Sequence, residues 1–377
     1  MRCETFRLGD ICTFIDYRGK TPPKTSNGIP LVTAKIIKNG MIQEPQEFIA
    51  ENYYNEWMRR GIPQKGDVIF TTEAPLGEVA RIKTDDKLAF AQRIIVLEPN
   101  TQQLNAGYLF YALQDIVLKN RIAARATGTT VIGIKAAELK KVEIDLPPLQ
   151  QQEKIADILS SLDDKIELNN KINENLEQQA QAIFRSWFLD YLPFNSIKPT
   201  HWKFCTLGET TKMSAGGDKP KGISNIKSTE YPYPIYSNGL DNEGLYGYTN
   251  EAKIFAESVT VSARGTIGFV CLRHIPYVPI VRLVTLIPNE NLISAKYLYL
   301  YLKQLHISGT GTTQQQLTVP DFRKTEILIP DKITMDKFTN LMSPMYNQIW
   351  ANEEENIKLA SLRDSLLPKL MSGEIEL

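Results

Sequence analysis

Few stretches of this chain have residue types at a spacing that would do chemistry, and each lacks a part. Asp145-Leu146-Pro147-Pro148-Leu149 approaches the Asn/Asp-Pro-Pro-aromatic pattern of amino-methyl transfer, but it carries an extra Leu and no aromatic. Its later counterpart reads Leu328-Ile329-Pro330-Asp331, and a strand-to-helix corner suits both. No Gly-rich loop of the FxGxG kind precedes it to hold a methyl donor. The run from Gly128 to Lys135 has the glycine spacing of a phosphate loop, yet no Lys-Ser/Thr follows its second Gly. Gly-x-Ser-x-Gly and paired metal-binding histidines are absent, and Glu138-Leu139-Lys140 lacks an upstream acidic partner. Cys3, Cys12, Cys205 and Cys271 form no CxxC pair, and His201, His274 and His306 stand apart. The expectation is a chain with no catalytic residue, no metal and no cofactor.

What the residues do suit is binding to a polyanion. Tyr17 to Gly40 holds Arg18, Lys20, Lys24, Lys35 and Lys38 with no acidic residue, in a Gly- and Pro-containing loop. Lys219 and Lys221 occupy the corresponding later loop, followed by Ser237-Asn238-Gly239. Thr71-Thr72 precedes a Gly turn as Ser262-Ala263-Arg264 precedes another, while Gln92-Arg93 and Arg282 stand at strand starts. Thr129, Thr130 and Lys135 in one Gly-Thr-Thr loop answer Thr312, Thr313, Gln314 and Gln315 in the other. Arg, Lys, Gln, Asn, Ser and Thr are the side chains that contact phosphates and read base edges. These residues form the candidate DNA-binding set.

Such loops need a scaffold, and the chain repeats one. Ile155, Leu159, Leu162, Ile166, Asn169, Asn173, Leu176, Ala180, Ile183 and Trp187 recur in alternating steps of four and three, a coiled-coil seam. Moving 183 positions on gives Phe338, Met342, Met345, Ile349, Asn352, Asn356, Leu359, Arg363, Leu366 and Leu370, with both asparagines in register. Two matched seams in one chain have an obvious way to be buried, against each other, with Asn169, Asn173, Asn352 and Asn356 fixing the register. Ser160-Ser161 and Ser343-Pro344 predict a break in each helix, giving 150–160 and 161–190, then 333–342 and 344–367. Pro368 is expected to stop the second. A helix of nearly 30 residues spans ~40 Å, close to the ~34 Å turn of B-DNA.

The duplication extends to the globular parts. Phe6-Arg7-Leu8-Gly9-Asp10 is echoed by Leu207-Gly208-Glu209. GDVIFTTEAPLGEVARI answers ESVTVSARGTIGFVCLR, and NAGYLFYALQ answers SAKYLYLYLKQ as a short capped helix. The offset falls from 199 at the Leu-Gly pair to 191 at Gly77/Gly268 and 183 from Gly128 onward. Sixteen residues are therefore missing from the second copy, placed by this reading in its N-terminal part. Composition supports an ordinary globular class, with 42% hydrophobic and 23% charged residues. No run of about 18 apolar residues and no signal core appear, so a cytoplasmic protein without membrane contact is expected. Net charge is zero but alternates: +3 over 1–147, −4 over 148–190, +4 over 191–330 and −3 over 331–377.

Taken together, the RLGDIC and TLGET openings, the long block from DLPPLQQQEKIADILSSLDDK to FRSWFLDY and the LRDSLLPKLMSGEIEL ending resemble the specificity subunit of type I restriction-modification systems. The resemblance covers essentially the whole chain. It implies an α+β (mixed α/β) protein with a pseudo-two-fold internal repeat: target-recognition domain 1 at 1–149 and target-recognition domain 2 at 193–331. A central helical region at 150–192 would form an antiparallel pair of long helices with a C-terminal one at 332–377, joining the two domains. It also implies a non-catalytic DNA specificity subunit, each domain reading half of a bipartite asymmetric site in double-stranded DNA. Two methyltransferase subunits would dock on it, and restriction subunits through them. A duplicated protein-interaction scaffold and a DNA-binding protein with an unrecognised activity are the alternatives.

Overall fold

The structure is a computed structural model and describes residues 3–17, 19, 21–309 and 316–377. It divides into two compact units, 1–169 with 354–377 and 170–353. Each is mixed α and β, and the two share one plan.

In the first unit Glu4–Arg7 pairs antiparallel with Glu143–Leu146. A four-stranded sheet follows in the order Cys12–Asp16, Ile94–Pro99, Val68–Thr72, Leu76–Arg81. In a smaller sheet Ile29–Val32 lies between Phe48–Ile49 and Ala89–Phe90, antiparallel to one and parallel to the other. The second unit repeats all three. Lys203–Thr206 pairs with Glu326–Ile329, and the four-stranded order is Thr211–Ala215, Val284–Pro288, Ser258–Val261, Val270–Arg273. Tyr233–Tyr236 then lies between antiparallel Leu245–Thr249 and parallel Val278–Pro279. The central strands Val68–Thr72 and Ser258–Val261 are buried along their whole length, as runs such as Val-Ile-Phe-Thr-Thr require.

The repeat holds at the level of single hydrogen bonds. Leu8 and Gly9 donate from their backbone N–H groups to the carbonyls of Val142 and Lys140, both at 2.9 Å. Leu207 and Gly208 do the same to Thr325 and Arg323, at 2.9 and 3.0 Å. A Cβ on Gly9 would sit 2.9 Å from the Lys140 Cβ, and one on Gly208 3.2 Å from the Arg323 Cβ, so both Leu-Gly pairs mark a close approach. The short helices are capped as expected: Asn105 accepts from Tyr108 N and Ser294 from Tyr297 N. Their tyrosines then tie each helix to the strand behind it. Tyr108 Oη donates to the Asp145 carbonyl at 3.1 Å and Tyr297 Oη to that of Leu328 at 2.6 Å.

Both long helices are continuous, Leu149–Phe188 and Lys332–Ser372, so the expected breaks are absent. The serines turn inward on the helix instead of capping a new one. Ser161 Oγ donates to the Ile158 carbonyl at 2.7 Å, and Ser343 Oγ to that of Thr339 at 2.8 Å. Tertiary packing holds the turn around Pro344, where Phe338, Met342 and Tyr346 are buried. Beyond Pro368 the helix runs on to bury Leu370 in the first unit's core. Near its end the central helix also leaves the expected seam: Phe184 and Phe188 are buried, while Ile183 and Trp187 are half-buried. A straight helix drifts against a 3.5-residue repeat by ~20° per heptad, which moves the apolar line one residue on.

The missing sixteen residues are also not confined to the front of the second copy. Half of the difference falls after the Gly turn, where the first unit carries the helix Ile116–Ala123. The second has no counterpart to that helix among the described residues.

Candidate recognition surface

In the first unit the end of Val68–Thr72 and the start of Ile94–Pro99 meet the Gly-Thr-Thr loop around a cleft of about 440 Å³. Thr72, Gln92, Arg93 and Lys135 line it, so four of the expected residues come together, with Gly19, Glu73, Thr127 and Val131 beside them. Arg93 is exposed, has φ +69°, and its Nε lies 3.0 Å from the Glu73 carboxylate. Its carbonyl accepts from both Thr72 N (2.8 Å) and Thr72 Oγ1 (3.2 Å), which holds the unusual backbone in place. Arg282, also exposed, stands at the matching strand start of the second unit with φ +61°. The left-handed region is costly for an arginine, and its recurrence at equivalent positions points to a side chain aimed for a purpose.

Thr71, Thr72 and Ser262, expected as surface contacts, are instead 0%, 2% and 1% exposed. Thr71 Oγ1 donates to the Pro75 carbonyl at 2.7 Å and accepts from Glu78 N at 2.9 Å, closing the turn. A hydroxyl so used shapes the surface without lying on it. Asn238 is half-buried and likewise spans two loops: its Nδ2 donates to the Val281 carbonyl at 2.6 Å and its Oδ1 accepts from Ala263 N at 2.7 Å. Arg264 is exposed, its Nη2 2.9 Å from Gln316 Oε1. Thr129, Thr130 and Lys135 are exposed.

The lysines differ in availability. Lys24 pairs with Glu47 at 2.7 Å, and Lys219 Nζ lies 4.2 Å from the centre of the Tyr246 ring. Lys35 and Lys221 are exposed and make no ion pair among the described residues. Arg273 carries charge but is 4% exposed, held by Thr260 Oγ1, the Glu243 carboxylate and the Tyr236 ring, and so is withdrawn from solvent. Burial pushes the Tyr236 phenol up to about 12 despite that guanidinium, so the ring stacks as a neutral group. Arg18, Lys20, Thr312, Thr313, Gln314 and Gln315 lie outside the described residues. Sequence reasoning passed over Glu73 and the aliphatic character of the Val131–Ile132 pair, whose glycine-flanked position between Gly128 and Gly133 was the available signal.

The register asparagines meet as matched pairs. In the first unit Asn169 Nδ2 donates to Asn356 Oδ1 at 2.9 Å and to Glu355 at 2.7 Å. In the second, Asn352 Nδ2 donates to Asn173 Oδ1 at 2.7 Å, and Asn173 Nδ2 to the Ile349 carbonyl at 3.3 Å. Both sets of partners run antiparallel. Among the described residues no group of three or more His, Cys, Asp or Glu is placed to hold a metal ion. No helix there is long and apolar enough to cross a membrane.

Comparison with known proteins agrees with this repeated plan. The type I restriction modification DNA specificity domain matches twice, at residues 2–178 and 199–360. The MjaIX specificity subunit of Methanocaldococcus jannaschii is 27% identical over 388 residues, covering 92% of this chain and 87% of that one. A Mycoplasma pneumoniae chain named as a type I specificity subunit is 29% identical over 365 residues, covering 95% and 93%. The crystal structure of the type I restriction-modification S subunit from M. genitalium has the same fold, with a TM-score of 0.63 at 18% identity over 98% of this chain and 96% of that one. With two matched segments that span most of its length, the chain belongs to the type I restriction modification DNA specificity domain family.

Proposed function

We propose that the chain reads a bipartite, asymmetric site in double-stranded DNA, one half through each recognition surface. Residues 1–149 and 193–331 act as the two target-recognition domains. The helical regions 150–192 and 332–377 set the spacing of the half-sites and dock two methyltransferase subunits. Catalysis belongs to those subunits, and restriction subunits join through them. The observation that carries this reading is a scaffold repeated bond for bond under surfaces that differ. The Leu-Gly contacts, the Tyr108/Tyr297 ties and the paired asparagines recur, while beside the shared Arg93 and Arg282 the loops carry Gln92 and Lys135 in one unit and Asn238 and Arg264 in the other. A repeated scaffold offers two equivalent docking surfaces to one kind of partner, and dissimilar loops suit dissimilar bases.

The test is co-expression with the partner methyltransferase followed by mapping of methylated adenines. Two different half-sites separated by an unread gap are expected. Methylation at a single continuous site, or methyl transfer by the isolated chain, would contradict the proposal.

A further inference from the structure

We infer that Val131 and Ile132 form an apolar reader in the first unit, seated on thymine methyl groups of its half-site. This rests on the reading above, in which that surface faces duplex DNA. The two side chains are 49% and 59% exposed at the tip of the Gly-Thr-Thr loop, where solvent is the default neighbour of polar residues.

The tip is held rigidly. Thr127 N donates to the Gly133 carbonyl at 2.8 Å and Gly133 N to that of Thr127 at 3.0 Å, closing the loop at its base. Gly133 also bridges to Glu73, and Ile134 N donates to the Thr72 carbonyl at 2.9 Å, with the Ile134 side chain buried in the core. The loop therefore stands on the end of a central strand. Gly128 has φ +131°, and a Cβ there would lie 2.0 Å from the Val131 carbonyl oxygen, so the tight return requires glycine. Val and Ile are stiff at χ1, so presenting them to a ligand costs little further ordering.

The surroundings select the ligand. Val131 shares its cleft with Gln92, Lys135 and Arg93 and with Glu73, whose carboxylate pairs with Arg93 at 3.0 Å, so the rim is polar and Lys135 is the cation on it without an ion pair among the described residues. An apolar partner protein would meet that rim at a desolvation cost, whereas a nucleic acid brings phosphates to it. Among the groups that bases present in the major groove, the thymine C5-methyl is the apolar one. Gln314 and Gln315 take the places of Val131 and Ile132 in the second copy by sequence. Amides suit adenine edges, so the two copies would differ in readout chemistry at one shared position.

The experiment uses the assembled complex with its methyltransferase partner and DNA carrying the mapped site. Each thymine is replaced singly by deoxyuridine, which removes the methyl and keeps every hydrogen-bonding group. Burying one methyl corresponds to about a threefold to fivefold gain in affinity. We expect one or two replacements within one half-site to weaken binding by about that factor. The V131A/I132A complex should show no such loss, and V131I/I132V should restore it. Sensitivity to no single replacement overturns the proposal, as does a deoxyuridine loss that survives undiminished in V131A/I132A. A complex that marks no bipartite site overturns the underlying reading instead, and this inference with it.

Discussion

Asn352 donates from Nδ2 to Oδ1 of Asn173 at 2.7 Å, and the residues 183 positions away repeat the bond with donor and acceptor kept, Asn169 to Asn356 at 2.9 Å. The two pairs differ in what else they satisfy. Asn352 Oδ1 accepts from Gln348 Nε2 at 2.7 Å, one helical turn earlier. Asn169 Oδ1 is buried and has no partner among the described residues. The position equivalent to Gln348 is Lys165, which reaches Glu355 at 3.2 Å instead. A lysine has no reason to abandon an exposed carboxylate for a buried amide oxygen.

Lys165→Gln should therefore stabilise the first unit. The lost ion pair is half-exposed on both sides and screened by solvent, so its loss costs little. A satisfied Asn169 Oδ1 recovers about 1–3 kcal/mol. A net gain near 1 kcal/mol is expected in thermal or denaturant unfolding. A lower melting temperature for the variant would show that the orphan oxygen is not the weak point of this seam.

Removing one asparagine of a pair should cost more than removing both. Asn352→Leu strands the Asn173 carbonyl oxygen in a buried seam, at about 1–3 kcal/mol. The double change N173L/N352L replaces the pair with apolar groups and should be less destabilising than Asn352→Leu alone, as unfolding of the single and double variants reads out. The methylated half-sites should stay the same in all three variants, because the seam sets register and the loops set sequence. A change of half-site bases in N173L/N352L would reverse that assignment.

Lys35 and Lys221 are exposed and without an ion pair among the described residues, which suits phosphate contact. Replacing either with Ala should weaken DNA binding by a similar factor for every sequence and lower the salt slope by about 1. Lys24→Ala should do less, since Glu47 already neutralises that ammonium at 2.7 Å. Loss of discrimination between half-sites, with the salt slope unchanged, would mark these lysines as base readers instead.

Much of this architecture was legible from residue patterns because duplication supplies its own control. Leu8-Gly9 and Leu207-Gly208, the Asn105 and Ser294 caps and the paired asparagines all occupy the equivalent places that the 183–199 offsets imply. What escaped was decided by distant neighbours. Ser343-Pro344 carries a helix-start signal, but Phe338, Met342 and Tyr346 bury their side chains on either side of it and the helix continues. Thr71 and Ser262 resemble surface hydroxyls until one is seen to lie in a central strand and the other directly at the end of one. Val131 and Ile132 resemble core residues by type and lie exposed, because Gly128 and Gly133 turn the chain outward there.

Asp331 heads the C-terminal helix, and its ionisation should give the second unit a measurable acid limit. Burial alone would raise its pKa, but hydrogen bonds from Thr334 N, Thr334 Oγ1, the Trp202 indole and His201 outweigh that and hold the carboxyl well below the ordinary carboxylate range. A group depressed in the folded state contributes stability above its unfolded value, about 3.9. That contribution is lost as pH falls from there through the folded-state value. Asp331→Ala should therefore lower stability at neutral pH by about 1–2 kcal/mol, the usual cost of losing such a cap. The gap between variant and wild type should hold down to about pH 4 and close below it. Thermal melts of both proteins across that range check the sign: a gap that widens on acidification would mean the carboxyl is stabilising in its protonated form.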